Sequence, residues 1–174
     1  MKIFLWGMMG SGKSTLGLLL ARALNLPFVD LDAEIEQETG QTIAEIFDAE
    51  GQEGFRRIEQ AQLRRVLGLQ GQGVISCGGG TPCYYSNAAE MLAAGTVIYL
   101  QANEELLAER LKDDAGKRPL LREQTPQSLL SYLAHTLHKR APYYKKAHVI
   151  VPVAGKSAAE VVAHIVQNLP GRAV

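Results

Sequence analysis

No charge of either sign dominates this chain. Its 18 basic residues balance 18 acidic ones, for a formal net charge of zero. A protein held on a nucleic-acid backbone or an anionic membrane surface by a global field needs an excess of positive charge, so neither partner is expected. Cysteine is scarce too. Cys77 and Cys83 are the only two in 174 residues. That is too few for a disulfide framework, and with no cluster of His and Cys a structural zinc site is not expected either. No apolar run approaches the roughly 20 residues of a membrane-spanning helix. The apolar stretch after Met1 and Lys2 is short and runs into glycines and Lys13, so a secretory leader is not expected and the cytoplasm is the default compartment. Repeats and low-complexity tracts are also missing.

What the chain does have is alternation. Residues 3–6, 27–31, 73–77, 96–100 and 148–152 are short and almost continuously apolar, the pattern of strands buried on both faces of a parallel sheet. Between them lie helical periodicities at 14–24, 53–69 and 103–112, and a long one opening at Thr125-Pro126. Thr42 with Glu45, and Ser157 with Glu160, have the spacing of capping boxes. Strand and helix in alternation predict an α/β domain over residues 1–174. Residues 113–123 break the pattern: they are polar, carry Gly and Pro, lack periodicity and have only Leu120 and Leu121 to bury. Such a stretch predicts a mobile lid.

The most specific motif is Gly7-Met8-Met9-Gly10-Ser11-Gly12-Lys13-Ser14, a phosphate-binding G-x-x-x-x-G-K-[ST] loop between a strand and a helix. Glycines let successive N–H groups curl around phosphate oxygens, and the helix N-terminus adds its dipole. Gly10, Ser11, Gly12, Lys13, Ser14 and Thr15 are therefore candidates for binding ATP, with Lys13 supplying charge and Ser14 a hydroxyl for Mg²⁺. After the second strand come Asp30 and Asp32. Two residues apart on a strand, they are expected to point the same way. One carboxylate can sit behind the metal and the other can take a proton from a hydroxyl acceptor; alternatively Asp32 only caps a helix. Arg56 and Glu59, one helical turn apart, can share a face; they aim a carboxylate-binding fork or form an ordinary solvated face. Gly78, Gly79 and Gly80 end the third strand and permit close backbone approach to a ligand.

In order, these motifs, with Arg118-Pro119-Leu120-Leu121 in the expected lid and Arg140-Ala141-Pro142-Tyr143-Tyr144 beyond it, resemble the shikimate kinases along essentially the whole chain. The resemblance implies a three-layer P-loop kinase fold: five parallel strands flanked by helices, substrate-binding helices at about 32–69 and a mobile lid at about 113–123. It implies an ATP-dependent kinase that phosphorylates the 3-hydroxyl of shikimate in the chorismate route; a monomer is expected. Asp32 would be the base, with Lys13 and Arg118 as its catalytic partners. Asp30 would join Ser14 near Mg²⁺. Arg56 and Arg140 would grip the shikimate carboxylate, with the Gly78–Gly80 run contacting the substrate through its backbone. Arg110 would stack on adenine, Lys156 would lie at the adenine pocket, and Arg118 would reach the transferring phosphate. A gluconate kinase of the same fold is the nearest rival. The D-x-x-G match at Asp48–Gly51 lacks a preceding apolar strand and a guanine motif, and reads as Gly51 ending a short helix.

Overall fold

A computed structural model of the chain describes residues 1–112, 119–122 and 124–170. Five strands form one parallel sheet: β1 (Lys2–Trp6), β2 (Phe28–Asp30), β3 (Gly73–Ser76), β4 (Gly95–Gln101) and β5 (Val149–Pro152), in the order β2-β3-β1-β4-β5. The helices are α1 (Lys13–Leu24), α2 (Leu31–Thr39), α3 (Ile43–Gly68), α4 (Asn87–Ala94), α5 (Glu104–Leu111), α6 (Pro126–Tyr144) and α7 (Ala158–Gln167). Short 3-10 turns cover Thr81–Cys83 and Pro119–Leu121.

Strand order and handedness place the layers. From β1 the chain crosses through α1 to β2 on one side; from β3 it crosses through α4 to β4 in the opposite direction. Right-handed crossovers running in opposite directions put their helices on opposite faces. Accordingly α1 packs against α7 on one face, and α3 packs against α4 on the other. The sheet between them is dry: Ile3, Phe4, Leu5 and Trp6 of β1 are fully buried, as are Val97, Ile98 and Leu100 of β4. The order reverses around β1, and open α/β sheets bind ligands beyond the carboxyl ends of the strands at such a point.

The expected strands are all present within a residue or two. N-caps form at several helix starts. Asn103 accepts from the Leu106 N–H and Thr125 from the Ser128 N–H, and Thr42 and Ser157 complete the expected capping boxes with Glu45 and Glu160. Two expectations need correction. The helix expected at 53–69 begins at Ile43, because Gly51 (φ 66°, ψ −177°) swivels the chain between two helical segments that continue as α3; Gly51 does end a short helical turn, but another follows at once. Asp30 and Asp32 do not alternate along one strand either: β2 stops at Asp30 and α2 starts at Leu31. Residues 113–118 of the expected lid, Arg118 among them, and Glu123 lie outside the described residues. The remainder is anchored by Leu121, which is fully buried, and by an ion pair of 2.6 Å from Arg122 to Asp48 of α3. Among the described residues no helix is long and apolar enough to cross a membrane.

Candidate active site

The loop from Gly7 to Gly12 joins β1 to α1 and curls by taking positive φ at Gly7, Gly10 and Gly12. Gly7 admits no side chain: a Cβ there would lie 2.7 Å from Ser11 Oγ and 2.8 Å from the Leu100 carbonyl. α1 begins at Lys13 with no acidic residue in its own first turn, which leaves the positive end of its dipole available to an anion. Lys13 Nζ donates to the carbonyls of Gly7 and Met8 at 3.0 and 3.1 Å. The loop forms one wall of a cavity of about 450 Å³ that Gly10, Gly12, Lys13, Ser14 and Thr15 line, together with Asp30, Arg110 and Lys156. Arg110 is tied to the loop by a 3.1 Å hydrogen bond from Nη1 to the Gly10 carbonyl. Ser11 differs from its expected place. Its side chain is fully buried and does not line the cavity, its Oγ has no partner, and its N–H is turned back onto the Met8 carbonyl.

Asp30 is the N-cap of α2, accepting from the Asp32 N–H through Oδ1 at 3.1 Å. Its Oδ2 accepts from the Ser14 hydroxyl at 2.5 Å. The two oxygen groups expected near a metal are therefore in contact, and hard oxygen donors suit Mg²⁺. Among the described residues no three His, Cys, Asp or Glu side chains form an ion cage, so an ion bound here would complete its shell from phosphate and water.

Because Asp30 takes the cap, Asp32 is released from it. Asp32 Oδ1 is shut from solvent without a hydrogen-bond partner. Its pKa is raised from the usual 3.8 to about 6, chiefly by burial; the negative charges of Glu59 and Asp30 add to this, and Lys13 and Arg56 oppose it. A weakly basic carboxylate that lines both cavities, with one oxygen unpartnered, is poised to accept a hydroxyl proton near neutral pH.

Asp32 also lines a second cavity of about 330 Å³, which shares Met9, Asp32, Gly78 and Gly79 with the first. Arg56, Glu59, Gly80 and Arg140 line it on the polar side, and Ile43, Phe47, Phe55 and Leu120 on the apolar side. Arg56 is not on a solvated helix face: it is 4 % exposed and Glu59 is 0 % exposed, with Arg56 Nη1 and Glu59 Oε2 2.6 Å apart. Burial lowers the Arg56 pKa, but attraction and hydrogen bonding to Glu59, with a smaller contribution from Tyr84, together outweigh it and the pKa is raised, so the group stays charged. Glu59 Oε1 accepts from the Thr81 hydroxyl at 2.6 Å, which holds the carboxylate in turn. Arg56 Nε is buried with no partner. The glycine run fits closely over this pair, since a Cβ on Gly80 would lie 2.4 Å from Arg56 Nη2. Arg140, on the last turns of α6, is 9 % exposed.

The sequence motif ending at Tyr144 gave that residue no role; its hydroxyl donates to the Gly79 carbonyl while its ring stacks on Tyr99 at 4.9 Å. It anchors the glycine run to α6. Its place four residues after Arg140 was the available signal, since that spacing sets both on one face of the helix.

A phosphate loop at the switch point of a parallel sheet, opening past a half-buried carboxylate onto a cavity with two buried arginines, defines a P-loop kinase for a small anionic acceptor. Comparison with known proteins narrows the class. The family model described as "Shikimate kinase" matches residues 9–170. A shikimate kinase of Azobacteroides pseudotrichonymphae is 43 % identical over 149 residues, covering 86 % of this chain and 88 % of the relative. The crystal structure of shikimate kinase from Bacteroides thetaiotaomicron superposes with a TM-score of 0.88 at 36 % identity, over 95 % of this chain and 96 % of that one. Shikimate kinase from Acinetobacter baumannii in complex with shikimate does so with a TM-score of 0.87 at 36 % identity, over 95 % and 90 %. The chain belongs to the shikimate kinase family.

Proposed function

We propose that this chain transfers the γ-phosphate of ATP to the 3-hydroxyl of shikimate, giving ADP and shikimate 3-phosphate on the chorismate route. The observation that carries the reading is the pair of cavities meeting at Asp32. The 450 Å³ cavity takes the nucleotide: the loop amides and Lys13 meet the phosphates, with Arg110 and Lys156 at the adenine end. Mg²⁺, held by Ser14 and Asp30, would neutralise charge on the phosphates. In the smaller cavity Arg56 and Arg140 grip the acceptor carboxylate, and the backbone of Gly79 seats the ring. Asp32 aligns the 3-hydroxyl and receives its proton as that oxygen bonds to the γ-phosphorus. The bond from the γ-phosphorus to the bridging oxygen breaks, and ADP leaves. Arg118 enters with the segment at about 113–123 and stabilises the transferring group, and that segment excludes water as a competing acceptor.

We further propose that residues 1–174 act as one domain and as a cytoplasmic monomer; residues of this chain line both cavities. The test is ADP release with Mg·ATP, run with shikimate and with gluconate. Release that depends on shikimate and is negligible with gluconate is the expected result. Release without dependence on shikimate, or equal rates with the two acids, overturns the assignment.

A further inference from the structure

Arg56 occupies a wall rather than a pocket floor. One side of it borders the acceptor cavity, and the other borders a shallow surface groove formed by Gln52, Glu53, Tyr84 and Tyr85. A guanidinium in a wall between a cavity and the surface stays dry only if something covers its outer side. The Tyr84 ring does so. The guanidinium carbon lies 4.5 Å from the Tyr84 ring centroid and 5.1 Å from that of Phe55, within cation–π range of both. Tyr84 itself does not line the acceptor cavity. Its ring is held from two directions. Gln52 donates to its hydroxyl, and it directly follows the 3-10 turn whose Thr81 donates to Glu59. The same network therefore grips Arg56 through Glu59 along its edge and through Tyr84 over its face.

We propose that Tyr84 is a positioning residue for acid recognition. Its ring sets the plane of the Arg56 guanidinium and keeps water off it, so that the donors left over from Glu59 stay turned toward the bound carboxylate. This deepens the function proposed above and rests on Arg56 gripping that carboxylate. The role is confined to binding, because Tyr84 touches neither the nucleotide cavity nor Asp32's reacting side. It belongs chiefly to the ring, because the π face is what covers the cation; the hydroxyl adds a weaker polar attraction to Arg56.

The experiment compares steady-state kinetics of Tyr84→Phe, Tyr84→Leu and Tyr84→Gln with Arg56→Lys as a control, varying shikimate and ATP separately. Circular dichroism and the emission of the buried Trp6 check folding. Tyr84→Phe is expected within about twofold of the parent. Tyr84→Leu is expected to raise the shikimate KM about 3- to 10-fold, the worth of a partly desolvated cation–π contact, with kcat and the ATP KM within about twofold. That KM should also become more sensitive to salt, since an exposed guanidinium is screened more than a buried one. Tyr84→Gln lacks a π face and should behave like Tyr84→Leu; it decides the question if the Leu variant does not fold. An unchanged shikimate KM in the ring-less variants, or a fall in kcat instead, overturns the role of Tyr84 while leaving a raised KM in Arg56→Lys to support the carboxylate grip. If Arg56→Lys leaves the shikimate KM unchanged, the grip fails and the role of Tyr84 fails with it.

Discussion

Asp32 carries two properties that pull in opposite directions. As the candidate base it profits from a raised pKa; as a buried charge it costs stability. With a pKa of about 6 in the fold and 3.8 outside it, the folded state binds the proton more tightly. Stability therefore falls as pH rises from below 3.8 to above 6, and the loss is complete at neutral pH. Its size is about 3 kcal/mol. Asp32→Asn should accordingly raise Tm by roughly 5–10 °C at pH 8 and lower kcat by at least about 100-fold. The gain in Tm should shrink by about half by pH 5. Calorimetry at the two pH values checks the first half, and turnover the second. In the parent enzyme kcat/KM should drop about tenfold per pH unit below 6, as the free carboxylate is protonated. A variant no more stable than the parent at pH 8 would mean that Asp32 bears no burial penalty.

At the scale of elements, α3 is the part whose shape matters most. Its first segment brings Ile43 and Phe47 to the acceptor cavity, and its second brings Phe55, Arg56 and Glu59. The swivel at Gly51 is what lets one helix do both. A Cβ there would meet nothing within 4 Å, so Gly51→Ala suffers only from the backbone angle, a cost on the order of 1–3 kcal/mol. Chemical denaturation should register that loss, and relaxation toward a straight helix should raise the shikimate KM, with the ATP KM unchanged. Much of this level was legible in the sequence. Strands buried on both faces announce themselves as apolar runs, and caps such as Thr42, Asn103 and Ser157 act through neighbours three residues away. What escaped depended on distant contacts. Nothing local reveals that β2 stops after three residues and hands Asp30 the cap, or that Arg56 is buried. The Tyr84 ring over Arg56 joins residues 28 positions apart and has no local signature; the Tyr144 bond to Gly79 joins residues 65 apart, so the spacing from Arg140 could show the shared helix face but not the partner. The phosphate loop was legible because its function lives in consecutive backbone groups.

Over the whole molecule the core and the chemistry are separable. The fully buried residues of β1 and β4 lie within the sheet, whereas Lys13 and Ser14 line a cavity at its carboxyl edge. Lys13→Ala and Ser14→Ala should therefore abolish turnover while leaving Tm within a few degrees of the parent. Thermal melts beside the coupled assay check this, and near-normal turnover in either variant would remove the phosphate loop from the mechanism. The two cavities carry one more consequence. They share four residues, yet each has its own set of polar groups already assembled, with Arg56 fixed by Glu59 on one side and Ser14 by Asp30 on the other. Neither site waits for the other ligand to be built. Substrates can then load in either order, and the phosphoryl group passes directly between them in a ternary complex. Initial-rate plots against one substrate at fixed levels of the other should give intersecting lines; parallel lines would signal a phosphorylated enzyme. For the same reason a single inhibitor that joins a nucleotide polyphosphate to a carboxylated ring, threaded past Met9 and Asp32, would occupy both halves of the site at once.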